Sequence, residues 1–277
     1  MRSSLEIYDM ATGDVRVVWQ TDALIEAPNW HPDGWLLVNR DGRLLRVGLD
    51  GTVAEIDIGF ADACNNDHGI SADGRWIWLS HHVDKLSTLY RVPVGGGVPE
   101  QVVPDVPSYW HGVDRYGVIA YCARRGGRYE VCTWDGAERQ LTGVGSDEGH
   151  NDGPDFSADG AWIWFNSDRS GAAQIWRMRR CGTDVQRMVV SDTVDWFPHP
   201  SPDGAHVLYL AYPAGTLYHP RDLTVQLRVM PQDGGDSRAV LDLFGGQGSI
   251  NVPCWSPDGA SFAYVRYAPV LIDDGVD

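Results

Sequence analysis

Short apolar runs recur along the whole chain, each preceded by a tight-turn signature and followed by a polar turn. The runs are Trp35-Leu-Leu-Val38, Trp76-Ile-Trp-Leu79, Trp162-Ile-Trp-Phe165, Val207-Leu-Tyr-Leu210 and Phe262-Ala-Tyr-Val265. None alternates cleanly between apolar and polar positions, which predicts strands covered on both faces. Ahead of them stand Trp30-His-Pro-Asp33-Gly34, Ile70-Ser-Ala-Asp73-Gly74, Phe156-Ser-Ala-Asp159-Gly160, Pro200-Ser-Pro-Asp203-Gly204 and Trp255-Ser-Pro-Asp258-Gly259. In such a turn the Asp carboxylate bonds local amides and the glycine takes a positive φ. A worn copy, Val113-Asp-Arg-Tyr116-Gly117, keeps only the glycine and the spacing. The first four intervals between copies are about 40 to 44 residues, the length of a four-stranded propeller blade, and the fifth is 55.

Third strands follow at Leu44-Leu-Arg-Val47, Leu89-Tyr-Arg-Val92, Ile175-Trp-Arg-Met178 and Leu227-Arg-Val-Met230, each leading to a shorter, more polar fourth strand. After the last turn only one strand and a short acidic tail remain. The N-terminus supplies the missing pair, with Leu5-Glu-Ile-Tyr-Asp-Met10 as third strand and Val15-Arg-Val-Val-Trp19 as fourth. The expectation is an all-β fold over residues 1–277: one domain, a six-bladed β-propeller of four-stranded antiparallel blades. N- and C-terminal strands share the last blade, which removes exposed sheet edges.

Composition agrees, with 32 Gly, 12 Trp and almost no Lys, a balance that favours strands and turns. No apolar run approaches the ~20 residues that span a bilayer. No basic start, apolar stretch and cleavage site precede the first strand, which predicts a cytoplasmic protein. Five cysteines, odd in number and without CxxC spacing, fit reduced thiols. Cys122 and Cys132 flank a hairpin and are expected as two strand thiols rather than a bridge. The formal charge of −16 argues against nucleic acid and against anionic membranes. The short basic stretches Arg124-Arg125-Gly-Gly-Arg128 and Arg177-Met-Arg179-Arg180 read as strand ends.

The Ser-Pro-Asp-Gly turns, the Asn166-Ser-Asp-Arg-Ser-Gly171 hairpin and Gln174-Ile-Trp-Arg-Met178 resemble the repeats of TolB-like propellers over essentially the whole chain. TolB's additional N-terminal α/β domain is not visible, so its envelope role is not carried over. A fainter resemblance to oligogalacturonate lyase propellers implies a metal and histidines on the same scaffold. Fold alone does not supply a function.

In a propeller the segments leading into the innermost strands surround one mouth of the central channel. Here they are Glu26-Ala-Pro-Asn29, Asn65-Asn-Asp-His68, Tyr109-Trp-His111, His150-Asn-Asp152-Gly-Pro-Asp155, Trp196-Phe-Pro-His199 and Gln247-Gly-Ser-Ile-Asn251. Each residue alone reads most simply as a turn or capping group. Together they make a convergent polar rim, the default form of a binding site. His111, His150, His199 and Gln247 are the candidate ligands of a divalent metal such as manganese, zinc or calcium. His68 is the candidate catalytic base. Arg221 is the candidate partner of a substrate carboxylate, because its guanidinium fork suits planar anions; tying down its own loop is the other reading. Glu26, Asn66, Asp152 and Asn251 are expected to bind ligand, as are Trp110 and Trp196 by stacking. His219, on the insertion that lengthens the fifth interval, joins them. His81-His82 lies in a loop on the same face.

These residues leave three functions open. The first is binding of a small polar molecule, a sugar or organic acid, with or without a metal. The second is a metal-dependent lyase acting on uronate sugars, as the fainter resemblance implies. The third is a protein-interaction platform.

Overall fold

The computed structural model describes residues 2–144 and 149–268, so the acidic tail lies outside the described residues. It contains strands and turns only, and none of its described residues forms a helix able to cross a membrane. Blade 1 runs Glu26–His31, Trp35–Arg40, Arg43–Gly48 and Val53–Glu55. Blade 2 begins at Cys64–Ile70, blade 3 at Ser108–Val113, blade 4 at Asn151–Phe156 and blade 5 at Val194–Pro200, each a four-stranded antiparallel meander. Blade 6 is closed as the termini require. Ser261–Ala268 pairs in full register with Arg2–Asp9, which pairs with Val15–Thr21. Its innermost strand is reduced to one bridge, Trp255 to Phe262, where Pro253 withholds an amide from the ladder.

The recurring turn is one hydrogen-bonded device. In blades 2, 4, 5 and 6 the serine hydroxyl donates to the Asp two residues on, at 2.5 to 2.6 Å. The same oxygen accepts the amide five residues on, at 2.9 to 3.0 Å. That amide opens the second strand, so the turn aims the strand as well as reversing the chain. In blade 1 His31 replaces the serine, its Nδ1 accepting the Asp33 amide at 3.0 Å. The worn copy keeps the device too: Asp114 accepts the amides of Tyr116 and Val118 at 2.8 and 2.9 Å.

Six apolar clusters form among the described residues, one between each pair of neighbouring blades. Both faces of every blade are therefore buried, as the unalternating runs require. Trp164, Trp78 and Trp255 are buried in these seams, whereas Trp30, Trp76 and Trp162 are half-buried. Trp76 and Trp162 each lie under an arginine from the neighbouring third strand, Arg91 at 4.6 Å and Arg177 at 4.2 Å, so the guanidinium covers the part the seam leaves open. Cys122 and Cys132 sit on paired strands but out of register, opposite Val131 and Tyr121 respectively, and all five thiols are free.

Candidate functional site

The innermost strands of blades 1 to 5 all carry a register break near their start: Glu26/Asn29, Cys64/His68, Trp110/Gly112, Asp152/Asp155 and Trp196/His199. A bulge re-aims side chains and ends regular pairing. In three blades it centres on a positive φ followed by proline, at Ala27-Pro28, Gly153-Pro154 and Phe197-Pro198. Proline suits a position that has left the ladder.

The consequence is a ring. Seven residues before each turn position stand Glu26, Asn66, Tyr109, Asp152, Trp196 and Asn251, one per blade. All but Glu26 line a cavity of about 960 Å³ at the channel mouth. Glu26 borders it through a side-chain hydrogen bond with Asn66. His111, His150 and Gln247 also line it, as does His82 from the second-to-third strand loop. The long insertion of blade 5 contributes a wall from Gly215 to His219. The His219 ring sits edge-on to Trp196 and Phe197, at 4.4 and 5.2 Å between centroids.

Four expected site residues are placed otherwise. Trp110 is wholly buried in the seam between blades 2 and 3, packed so closely on Gly69 that a Cβ there would collide with its ring. Its neighbour Tyr109 faces the cavity instead, because successive strand residues point to opposite sides. His68 is also wholly buried and absent from the cavity wall, and burial pushes its pKa down to about 4. A base must reach its substrate, so His68 is removed from that role. The blade 2 bulge spans Cys64 to His68 and turns Asp67 to the cavity in its place. His199 spends both nitrogens internally, on Asp155 at 3.1 Å and on the Ile250 carbonyl at 2.7 Å, and does not line the cavity. Arg221 pairs with Asp222 at 3.1 Å and stays off the cavity wall. Of its two readings, tying down its loop fits this contact.

At the centre, His111 and Asp152 form an ion pair at 3.1 Å between blades 3 and 4, and His111 Nδ1 lies 3.4 Å from the Asn251 carbonyl of blade 6. Burial opposes charge on both. The hydrogen bond and attraction between them prevail, holding Asp152 down to about 2 and raising His111 above its ordinary value. Asp67 behaves oppositely. Burial lifts it to about 7; His111 opposes the rise, while Asp152 and Glu26 add to it. Burial also lowers His219, which favours its neutral form at pH 7. Beside this cluster Tyr129 lies tilted against Tyr109 and His150, with ring centroids 6.1 and 5.9 Å away.

A divalent metal is the group that the lyase likeness implies, and the donor set does not suit it. Both nitrogens of His199 are occupied, His111 is committed to Asp152 and Asn251, and the described residues hold no group of three or more His, Cys, Asp or Glu arranged for a metal. Sequence reasoning passed over Asp67 and Tyr109. Tyr109 had a positional signal, the seven-residue offset of the ring; Asp67, one residue past Asn66, had none.

No family model matches the chain. An uncharacterised protein of Agrobacterium fabrum is 49% identical over 98% of this chain and 94% of its own length. A solved structure from Agrobacterium tumefaciens, provisionally described as TolB, is 48% identical over 98% of this chain and 99% of that one, with a TM-score of 0.94. TolB from Acinetobacter baumannii matches over 89% of this chain and 64% of its own, at 18% identity and a TM-score of 0.68. An oligogalacturonate lyase in complex with manganese matches over 88% and 74%, at 14% identity and a TM-score of 0.54. The last two are likenesses of fold, whereas the first two extend over nearly every residue of both chains. With a repeat, a closure and a full-length relative in agreement, this chain belongs to the TolB-like family of six-bladed β-propellers.

Proposed function

We propose that the protein binds a small polar molecule of sugar size in the cavity at the channel mouth. One observation carries this reading: five of the six ring positions, from five different blades, converge on one cavity of about 960 Å³. That volume and its mixed aromatic and polar wall suit a small ligand. Trp196 and Tyr109 offer faces for a sugar ring, and Asn66, Asn251 and Gln247 offer neutral donors and acceptors. The organic-acid option loses support, because no Lys or Arg appears on the described cavity wall. The uronate-lyase option loses more. It needs a metal or Arg221 to neutralise a carboxylate, and Arg221 stays off the cavity wall.

The test is ligand-observed NMR with neutral mono- and disaccharides, on wild type and on Trp196→Ala. Wild type is expected to bind, and the variant to bind roughly fivefold more weakly for loss of a stacking surface worth about 1 kcal/mol. Equal binding by both proteins, or none by wild type, would sink the sugar reading. The platform reading rests on Leu217 and Tyr218, which are 78% and 81% exposed on the inserted loop. It predicts a protein partner whose binding is indifferent to Trp196→Ala.

A further inference from the structure

The charges around the cavity are one-sided. Three carboxylates line it, those of Asp67, Asp152 and Asp168, and no Lys or Arg among the described residues does. Two of the three are engaged: Asp152 holds His111 at 3.1 Å, and Asp168 accepts the His150 amide at 2.7 Å. Asp67 is different. It is 7% exposed, and its side-chain partner is the Asn65 amide, a neutral group. The imidazole that acts on it, His111, is already bonded to Asp152 at 3.1 Å. Burying a carboxylate without a cation of its own is costly, and the cavity is the side from which one can arrive. Aromatic rings of Tyr109, Tyr129, Trp196 and Phe197 line the same cavity, and the faces of such rings attract cations. The chain's charge of −16 would draw a cation toward the mouth and repel an anion.

From this we infer that the ligand carries a positive charge: a polyhydroxylated, sugar-sized amine whose ammonium group pairs with Asp67 while its carbon skeleton lies against the aromatic wall. The inference rests on the small-ligand reading above and narrows its ligand class.

A proton linkage follows. The groups that face Asp67 are Glu26 of blade 1, Tyr109, His111 and Cys122 of blade 3, Asp152 of blade 4 and Asn65 of its own strand. Asp67 holds its proton up to about pH 7 in the free protein. An incoming ammonium must displace that proton, so affinity rises with pH up to about 7 and then levels while the amine stays charged. A neutral polyol displaces nothing and shows no such slope.

The decisive experiment is calorimetry with three six-carbon probes that differ at one end: 1-amino-1-deoxysorbitol (cationic), sorbitol (neutral) and gluconate (anionic). Each is titrated at pH 6 and pH 8 into wild type and into Asp67→Asn. The expected result is that the amine binds about tenfold tighter than sorbitol at pH 8, the factor of one unit of pKa. That preference should shrink at pH 6 and vanish in Asp67→Asn, with gluconate weakest. An amine that binds no tighter than sorbitol, or equally well at both pH values, overturns the inference and leaves the neutral-sugar reading standing. Failure of all three probes to bind wild type overturns both. The wild-type pH comparison needs no variant, so it decides even if Asp67→Asn folds poorly.

Discussion

Asp67 and Asp152 have the same side chain and line the same cavity, yet they are held at about 7 and about 2. The difference is partnership: Asp152 is bonded to His111 at 3.1 Å, whereas Asp67 feels His111 without that bond and has an amide and two like charges nearby. A carboxyl raised in the folded state retains a proton that the unfolded chain has lost above about pH 4. Folding stability from Asp67 therefore falls as pH rises from about 4 to about 7, and is level outside that window. Asp67→Asn should remove this slope, so that the variant gains in melting temperature on wild type between pH 5 and pH 8. Parallel profiles for the two proteins would contradict the assignment. The same scale explains why some site residues were legible in sequence and others were not. The rim segments are visible as polar interruptions before each turn. Which of two adjacent residues faces the cavity depends on strand alternation and on where the bulge falls: alternation puts Tyr109 there rather than Trp110, and the blade 2 bulge puts Asp67 there rather than His68.

Each second strand meets the next blade, and in three blades an Asn or Ser ends its apolar run. Asn39 donates to the carbonyls of Cys64 and Asn65 at 2.9 and 2.7 Å, Ser80 accepts the Trp110 amide at 2.9 Å, and Asn166 accepts the Phe197 amide at 3.1 Å. Each bond satisfies backbone that the bulge has taken out of the ladder. Asn166→Ala leaves the Phe197 amide buried without its acceptor and is expected to cost about 1 to 3 kcal/mol in urea unfolding. A loss below about 0.5 kcal/mol, within the range of ordinary surface changes, would mean that the bulge is held by packing alone. The sequence displays these residues plainly, as Asn or Ser at the end of an otherwise apolar strand. Their partners lie 25 to 31 residues away, so the reason for them appears only when neighbouring blades are set side by side.

At the scale of the molecule, six apolar seams close a ring, and the ring depends on Arg2–Asp9 filling the gap beside Ser261–Ala268. Removing residues 1–21 would strip two strands from blade 6 and bare the edge of a buried strand. Such edges recruit other chains. The truncated protein should elute from size exclusion as oligomer or aggregate, and adding residues 1–21 back as a peptide should restore a monomer-sized peak. A truncated chain that stays monomeric without the peptide would show that the closure is dispensable. The amino-acid sequence determined the blade count, the turns and the shared last blade, because these follow from periodicity and from short-range turn chemistry. The tertiary structure decided which rim side chains converge, that His199 belongs to the interior, and that the cavity wall is acidic. Those outcomes depend on bulges, on burial and on contacts between blades about 40 residues apart, and no local pattern in the chain encodes them.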